Sequence, residues 1–179
     1  ALKIALYRIV FEEFLILQLG LFMFKNGTTE VEGIKFNRDE NLDNILKALP
    51  FKLTNAQNRA LNEIIEDMQS NKVMNRLVQG DVGSGKTVVA LLALANCVLN
   101  GYQGALMAPT EILAEQHYIS LSETLKPFGM EIELLVGSLT KKQKEKVLER
   151  VKNKEIDILI GTHALIEDKV EFNNLGIVI

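Results

Sequence analysis

Apolar residues recur at helical spacing from Leu2 to Phe24, through Leu6, Ile9, Val10, Phe14, Leu17 and Leu21, while Glu12 and Glu13 group on another face. The second half of this stretch is apolar nearly all round. Residues 1–25 therefore read as a linker helix that needs cover on several sides, packing between the rest of the chain and a domain outside it. Asn26-Gly27-Thr28-Thr29 carries a turn signal, and the polar stretch that follows to Asn44 has weak periodicity. Residues 26–48 thus read as a loop or short linker.

After Leu49-Pro50-Phe51 the pattern changes, and β-branched runs alternate with helical stretches of about a dozen residues. Thr54 is placed to cap a helix running through Ala60, Leu61, Ile64, Ile65 and Met68. Strands are predicted at Arg76 to Gln79, Gly104 to Ala108, Ile132 to Val136, Ile156 to Ile160 and the final run from Leu175, with helices Lys86 to Leu99, Glu111 to Leu125 and Lys141 to Val151 between them. Such alternation predicts a three-layer α/β sandwich around a mostly parallel sheet over residues 49–179, preceded by the N-terminal helix.

Composition narrows the functional classes. Hydrophobic residues make up 47% and charged residues 24% of the 179, which is globular rather than disordered. With 20 Lys and Arg against 23 Asp and Glu, the net charge is -3, so any contact with nucleic acid must be local. Lys3, Arg8, Glu12, Glu13 and Gln18 interrupt the apolar start, which argues against a membrane span. Cys97 has no partner and sits in an apolar run, so it reads as a small core residue. One cysteine and two histidines give no zinc spacing and no disulfide framework, and a reducing, cytoplasmic setting is expected. Ala1 stands where a starting Met would be, and the last β-branched run breaks off in mid-strand, so both ends read as cut.

The strongest chemical signal is Gly80-Asp81-Val82-Gly83-Ser84-Gly85-Lys86-Thr87, a G-x-x-x-x-G-K-[ST] loop between a predicted strand and a predicted helix. Glycines let successive N–H groups turn inward as an anion nest, and the helix opening at Lys86 adds its positive dipole end. Lys86 is placed to neutralise the β and γ phosphates, and the Thr87 hydroxyl offers a hard oxygen to Mg²⁺. A dinucleotide fingerprint is excluded because Val88 stands where its third glycine belongs.

Further segments follow predicted strands, at the carboxyl edge where open α/β sheets bind ligands. They are Pro109-Thr110, Gly137-Ser138 and Gly161-Thr162-His163. Thr110 and Thr162 can offer hydroxyl and N–H donors to a phosphate; nothing marks His163 or His117 for acid–base work. The stretches Ala108-Pro109-Thr110-Glu111-Ile112-Leu113-Ala114-Glu115-Gln116 and Gly161-Thr162-His163-Ala164-Leu165 resemble the superfamily 2 helicases. In that superfamily such loops grip the phosphates of one DNA strand. Phe51-Lys52-Leu53-Thr54-Asn55-Ala56-Gln57 looks like the family's adenine-reading segment, in which Phe51 would cover the base and the Gln57 amide would meet its edge, favouring ATP over GTP.

Within the superfamily, Val73 to Ala90, Gly101 to Ala114 and Ile156 to Ile166 are similar to the RecG family of bacterial branch-migration DNA helicases. The stretch Ala5 to Gln18 favours that family over transcription-repair coupling factors. The resemblance implies a RecA-like first motor lobe that binds ATP and Mg²⁺ and acts on branched or forked duplex DNA in recombination and repair. It also implies a second RecA-like lobe, a wedge domain and an acidic Asp-Glu pair after Ile179. The alternative, from another class, is a nucleotide-binding module without catalysis.

Overall fold

The computed structural model describes residues 2–28, 32–166 and 169–179. Helix α1 (Leu2–Thr28) is followed by α2 (Asn41–Ala48), α3 (Asn55–Gln69) and α4 (Lys86–Leu99). Strand β1 (Gln103–Met107), α5 (Glu111–Leu125), β2 (Ile132–Leu135), α6 (Lys141–Lys152), β3 (Ile158–Gly161) and β4 (Leu175–Val178) complete the order.

The strands form one parallel sheet in the order β2-β3-β1-β4. Each is separated from the next by a crossover, so their carboxyl ends share one edge. Ile158, Leu159 and Ile160 are fully covered, as expected for a parallel strand with both faces packed. The core joins these strands to Leu91, Leu92, Leu94 and Ala95 of α4, Leu61, Ile64 and Ile65 of α3, and Leu121 and Leu125 of α5. Cys97 lies in it, and burial pushes its thiol up to about 12. It is therefore a neutral, unreactive packing residue at physiological pH.

Three sequence expectations change. The strand expected at Arg76 to Gln79 is not formed. The chain from Val73 to Gly80 has no strand beside it, and a cleft of about 510 Å³ separates it from β4. Strand propensity is expressed only through a neighbouring ladder, and this segment has none. The second change concerns the stretch read as loop between 26 and 48, of which residues 29–31 lie outside the described residues. It contains α2, whose Leu42 and Ile45 are fully buried, and Phe36 is 4% exposed in the same core. The short amphipathic period of α2 escapes a sequence window because packing on α4, rather than length, stabilises it. Third, the turn signal at Asn26-Gly27-Thr28 is overridden, since α1 runs on through Thr28. Asn-Gly favours a hairpin turn where strands flank it, and the described residues before it are helical.

Helix α1 is about 40 Å long at 1.5 Å per residue. Its apolar residues stand in the open, from Tyr7 at 83% exposed to Met23 at 74%. Among the described residues, no helix is long and apolar enough to cross a membrane.

Candidate nucleotide and phosphate-contact site

Three helices begin at the carboxyl edge of the sheet or next to it, and they begin differently. Helix α5 is capped by Thr110, whose Oγ1 accepts from Leu113 N at 3.3 Å. Thr140 caps α6 in a reciprocal box with Gln143. Helix α4 starts from Gly85 at φ 79° with no side-chain cap. Among the described residues, the N–H groups of Gly83, Gly85, Lys86 and Thr87 donate to no protein acceptor. A cluster of unspent donors at a helix start is the arrangement that binds phosphate oxygens.

The loop is held by its own lysine. Lys86 Nζ donates to Gly80 O at 2.8 Å and to Asp81 O at 2.7 Å. Two carbonyls thus seat the ammonium inside the turn. Gly83 and Gly85 take positive φ values of 76° and 79°, which a side chain would resist.

Gln57 binds the loop from outside. Its Oε1 accepts from Thr54 N at 2.8 Å as half of the α3 capping box, and its Nε2 donates to Ser84 O at 2.9 Å. A Cβ on Gly85 would displace that Nε2 from Ser84 O, so glycine here keeps the bond while its φ of 79° meets the turn. The amide expected to read a base thus gives one lone pair to its own helix cap and one N–H to the phosphate loop. Phe51 lies 52% exposed at the start of the same segment. Releasing Ser84 by Gln57→Ala is expected to weaken ATP binding about tenfold, the equivalent of one charge-independent hydrogen bond in an organised site; nucleotide titration of the full-length protein measures it, and an unchanged Kd would reject the coupling.

Arg76, which the sequence did not single out, ties the root of the loop to α3. Its guanidinium meets Glu63 Oε2 at 2.6 Å and Asp67 Oδ2 at 2.7 Å. Only the folded proximity of α3 reveals this pair. With Gln57 above and Arg76 below, α3 holds the loop at two heights.

The strand-end residues come together on the other side of β4. Ala108 N donates to Gly161 O at 2.8 Å, which sets Pro109-Thr110 beside Gly161-Thr162. A Cβ on Gly137 would lie 2.6 Å from Glu111 Oε1, which brings Gly137-Ser138 against the start of α5. Thr162 is buried at 3% exposed, so its hydroxyl does not stand free at the surface as the sequence suggested, and His163 is exposed in a single 3-10 turn. The edge thus carries two groups: phosphate-loop donors, and a row made by Thr110, Gly137, Ser138 and Thr162.

Thr87 and Lys86 line the cleft between the loop and β4, together with Met74 and Ile179. Among the described residues, no group of three His, Cys, Asp or Glu side chains could hold a metal ion. Asp81, Ser84 and Thr87 are the hard oxygen donors of the loop motif, and of these Thr87 lines the cleft beside Lys86. This donor set suits a divalent cation that shares its shell with nucleotide phosphates and water, rather than a resident metal.

A parallel α/β lobe whose uncapped helix follows a glycine-lysine-threonine turn defines a P-loop nucleotide-binding domain. The DEAD/DEAH box helicase family matches residues 54–179, and the chain belongs to that family. It is 52% identical to the ATP-dependent DNA helicase RecG of Aquifex aeolicus over 96% of its length, covering 22% of that protein. It is likewise 52% identical to RecG of Bacillus subtilis, covering 26% of it. The structure of RecG bound to a three-way DNA junction superposes with a TM-score of 0.87 at 48% identity, over 93% of this chain and 23% of that one. A hypothetical ATP-dependent RNA helicase from Sulfolobus tokodaii, at 21% identity and a TM-score of 0.53, shares the fold. The chain spans about a quarter of the length of these RecG relatives.

Proposed function

We propose that this chain is the ATP-binding motor lobe of a helicase that remodels branched or forked duplex DNA in recombination and repair, working in the bacterial cytoplasm. The observation that carries the reading is the edge arrangement: unspent N–H donors around Lys86 and Thr87 lie on one side of β4, and the Thr110, Gly137, Ser138 and Thr162 row lies on the other. A nucleotide and a DNA backbone held there would communicate through one strand end.

In this reading Gly80 to Gly85 cradle the triphosphate, Lys86 leaves its two carbonyls to meet the β and γ phosphates, and Thr87 contributes its hydroxyl to Mg²⁺. Bound Mg²⁺ supplies neutralisation of the charge that develops on the phosphates. Phe51 covers the adenine, and Gln57 acts from the same segment. Pro109, Thr110, Gly137, Ser138, Gly161, Thr162 and His163 form the DNA-facing row. The exposed apolar surface of α1 is the seat of a wedge domain, and a second RecA-like lobe completes the motor.

The test is ATP turnover by the full-length protein with three-way junction, linear duplex and no DNA. Junction DNA is expected to raise turnover at least about tenfold above the DNA-free rate, with GTP a poor substitute. Equal turnover in all three conditions would reject a DNA motor and favour a nucleotide-binding module.

A further inference from the structure

We propose that Asn96 and Asn100 are positioning residues that fasten the segment Gly33–Asp39, which follows α1 in the chain, to the helix that begins at the phosphate loop. ATP-driven movement of α4 is thereby delivered to the domain against which α1 packs. The inference rests on the motor reading above.

Helix α4 is almost entirely Val, Ala and Leu, and Asn96 is the polar side chain in its buried run, fully covered. Its Oδ1 accepts from Asp39 N at 3.2 Å, while its Nδ2 has no partner among the described residues. A buried amide left half-satisfied is costly to a core, so stability alone would favour an apolar side chain here. What the amide does provide is register, since it fixes one particular backbone N–H of the incoming segment.

Asn100 lies one turn further on the same face. Its Oδ1 accepts from Asn37 N at 2.8 Å, and its Nδ2 donates to Asn37 O at 2.8 Å and to Asn96 O at 2.7 Å. One side-chain amide thus engages both backbone groups of Asn37, as a neighbouring strand would.

The rest of the segment is fastened as firmly. Phe36 is buried with its ring edge-on to Tyr102 at 5.2 Å between centroids, and Phe36 N donates to Met68 O at 2.9 Å. Gly33 N donates to Asn71 O at 2.8 Å, and a Cβ on Gly33 would come within 2.6 Å of the Lys72 backbone. Residues 33–39 are therefore a strap welded across the ends of α3 and α4. A slack tether would spend no buried amide on register.

The geometry makes α4 a rod of about 20 Å, with Lys86 at one end and the strap clasp at the other. A displacement of the phosphate loop on nucleotide binding moves the clasp with it. Released from the clasp, the lobe would still hydrolyse ATP but would no longer drive what α1 carries.

The test uses the full-length protein with Asn100→Ala and, separately, Asn96→Leu, which refills the core should the first variant fold poorly. Amide exchange at Asn37 and Asp39 is expected to accelerate at least tenfold while the sheet stays protected. ATP turnover with junction DNA should stay within about twofold of wild type, and junction strand separation per ATP should fall about tenfold. Strap release with wild-type separation per ATP would overturn the proposal. So would unchanged exchange in both variants, or a parallel fall of both activities. A wild type whose turnover ignores DNA would instead overturn the motor reading, and this proposal with it.

Discussion

In the full-length protein, Lys86→Ala is expected to lower DNA-stimulated ATP turnover by at least about a hundredfold, the scale of losing one preorganised charge at a transferring phosphoryl group. The lysine has no duty in the core. Its side chain is spent on Gly80 O and Asp81 O, two carbonyls at the surface, so the lobe should remain folded without it. What disappears is a mobile positive charge beside the unspent N–H groups of Gly83, Gly85 and Thr87. Lys86→Arg is expected to fail almost as badly, because a longer, planar guanidinium with delocalised charge does not reproduce the compact ammonium seated on Gly80 O and Asp81 O. Steady-state turnover with junction DNA, alongside a circular dichroism control for folding, measures both variants. Wild-type turnover in Lys86→Ala would remove the phosphate loop from the mechanism.

Much of this site was legible in the chain because its information is local. A glycine-lysine-threonine turn, a threonine ahead of each of α3 and α5, and β-branched runs at regular intervals are set by neighbours within a few residues. The structure bears them out: Thr54 and Thr110 cap their helices, and the strands at Gly104, Ile132, Ile158 and Leu175 form. What escaped is non-local. Arg76 to Gln79 has the residues of a strand, yet a strand is a property of a pair. Asn37 and Asn100 are 63 residues apart, and neither spacing nor composition marks them as partners. Gln57 was read through the chemistry of its amide toward a base, but the amide has two ends. The fold uses both, one on its own helix cap and one on Ser84. Sequence signals thus gave the positions of chemistry, while the couplings between them came from packing.

Gln103→Leu is expected to be the most destabilising single change in the sheet, although it places an apolar residue in an apolar core. Gln103 is 1% exposed at the start of β1, and every polar group of its amide is used. Nε2 donates to Val151 O at 3.0 Å and to Ile156 O at 2.7 Å. Oε1 accepts from Asn173 N at 2.9 Å and from Asn174 N at 3.0 Å. The amide therefore joins the end of α6, the entry to β3 and the entry to β4. Leucine of similar volume would leave the Ile156 carbonyl and the N–H groups of Asn173 and Asn174 without partners, while Val151 O keeps Lys154 N at 3.1 Å; each loss costs about 1–3 kcal/mol where water cannot reach it. Asn173 is exposed and can recover a water, so the net loss should be about 4 kcal/mol rather than the full sum. That corresponds to a fall in Tm of about 10 °C for a domain of this size. Gln103→Glu should be worse, since it sets a buried carboxylate against two carbonyl oxygens. Denaturant unfolding of the lobe in the full-length protein, followed by amide exchange of β1 and β4, reads the loss. A shift below about 1 kcal/mol would mean that the three orphaned backbone groups find other partners. Because β4 ends at Val178, between the phosphate loop and the Thr110 row, loosening its entry should also blur the strand end that the proposed motor would use to couple nucleotide and DNA.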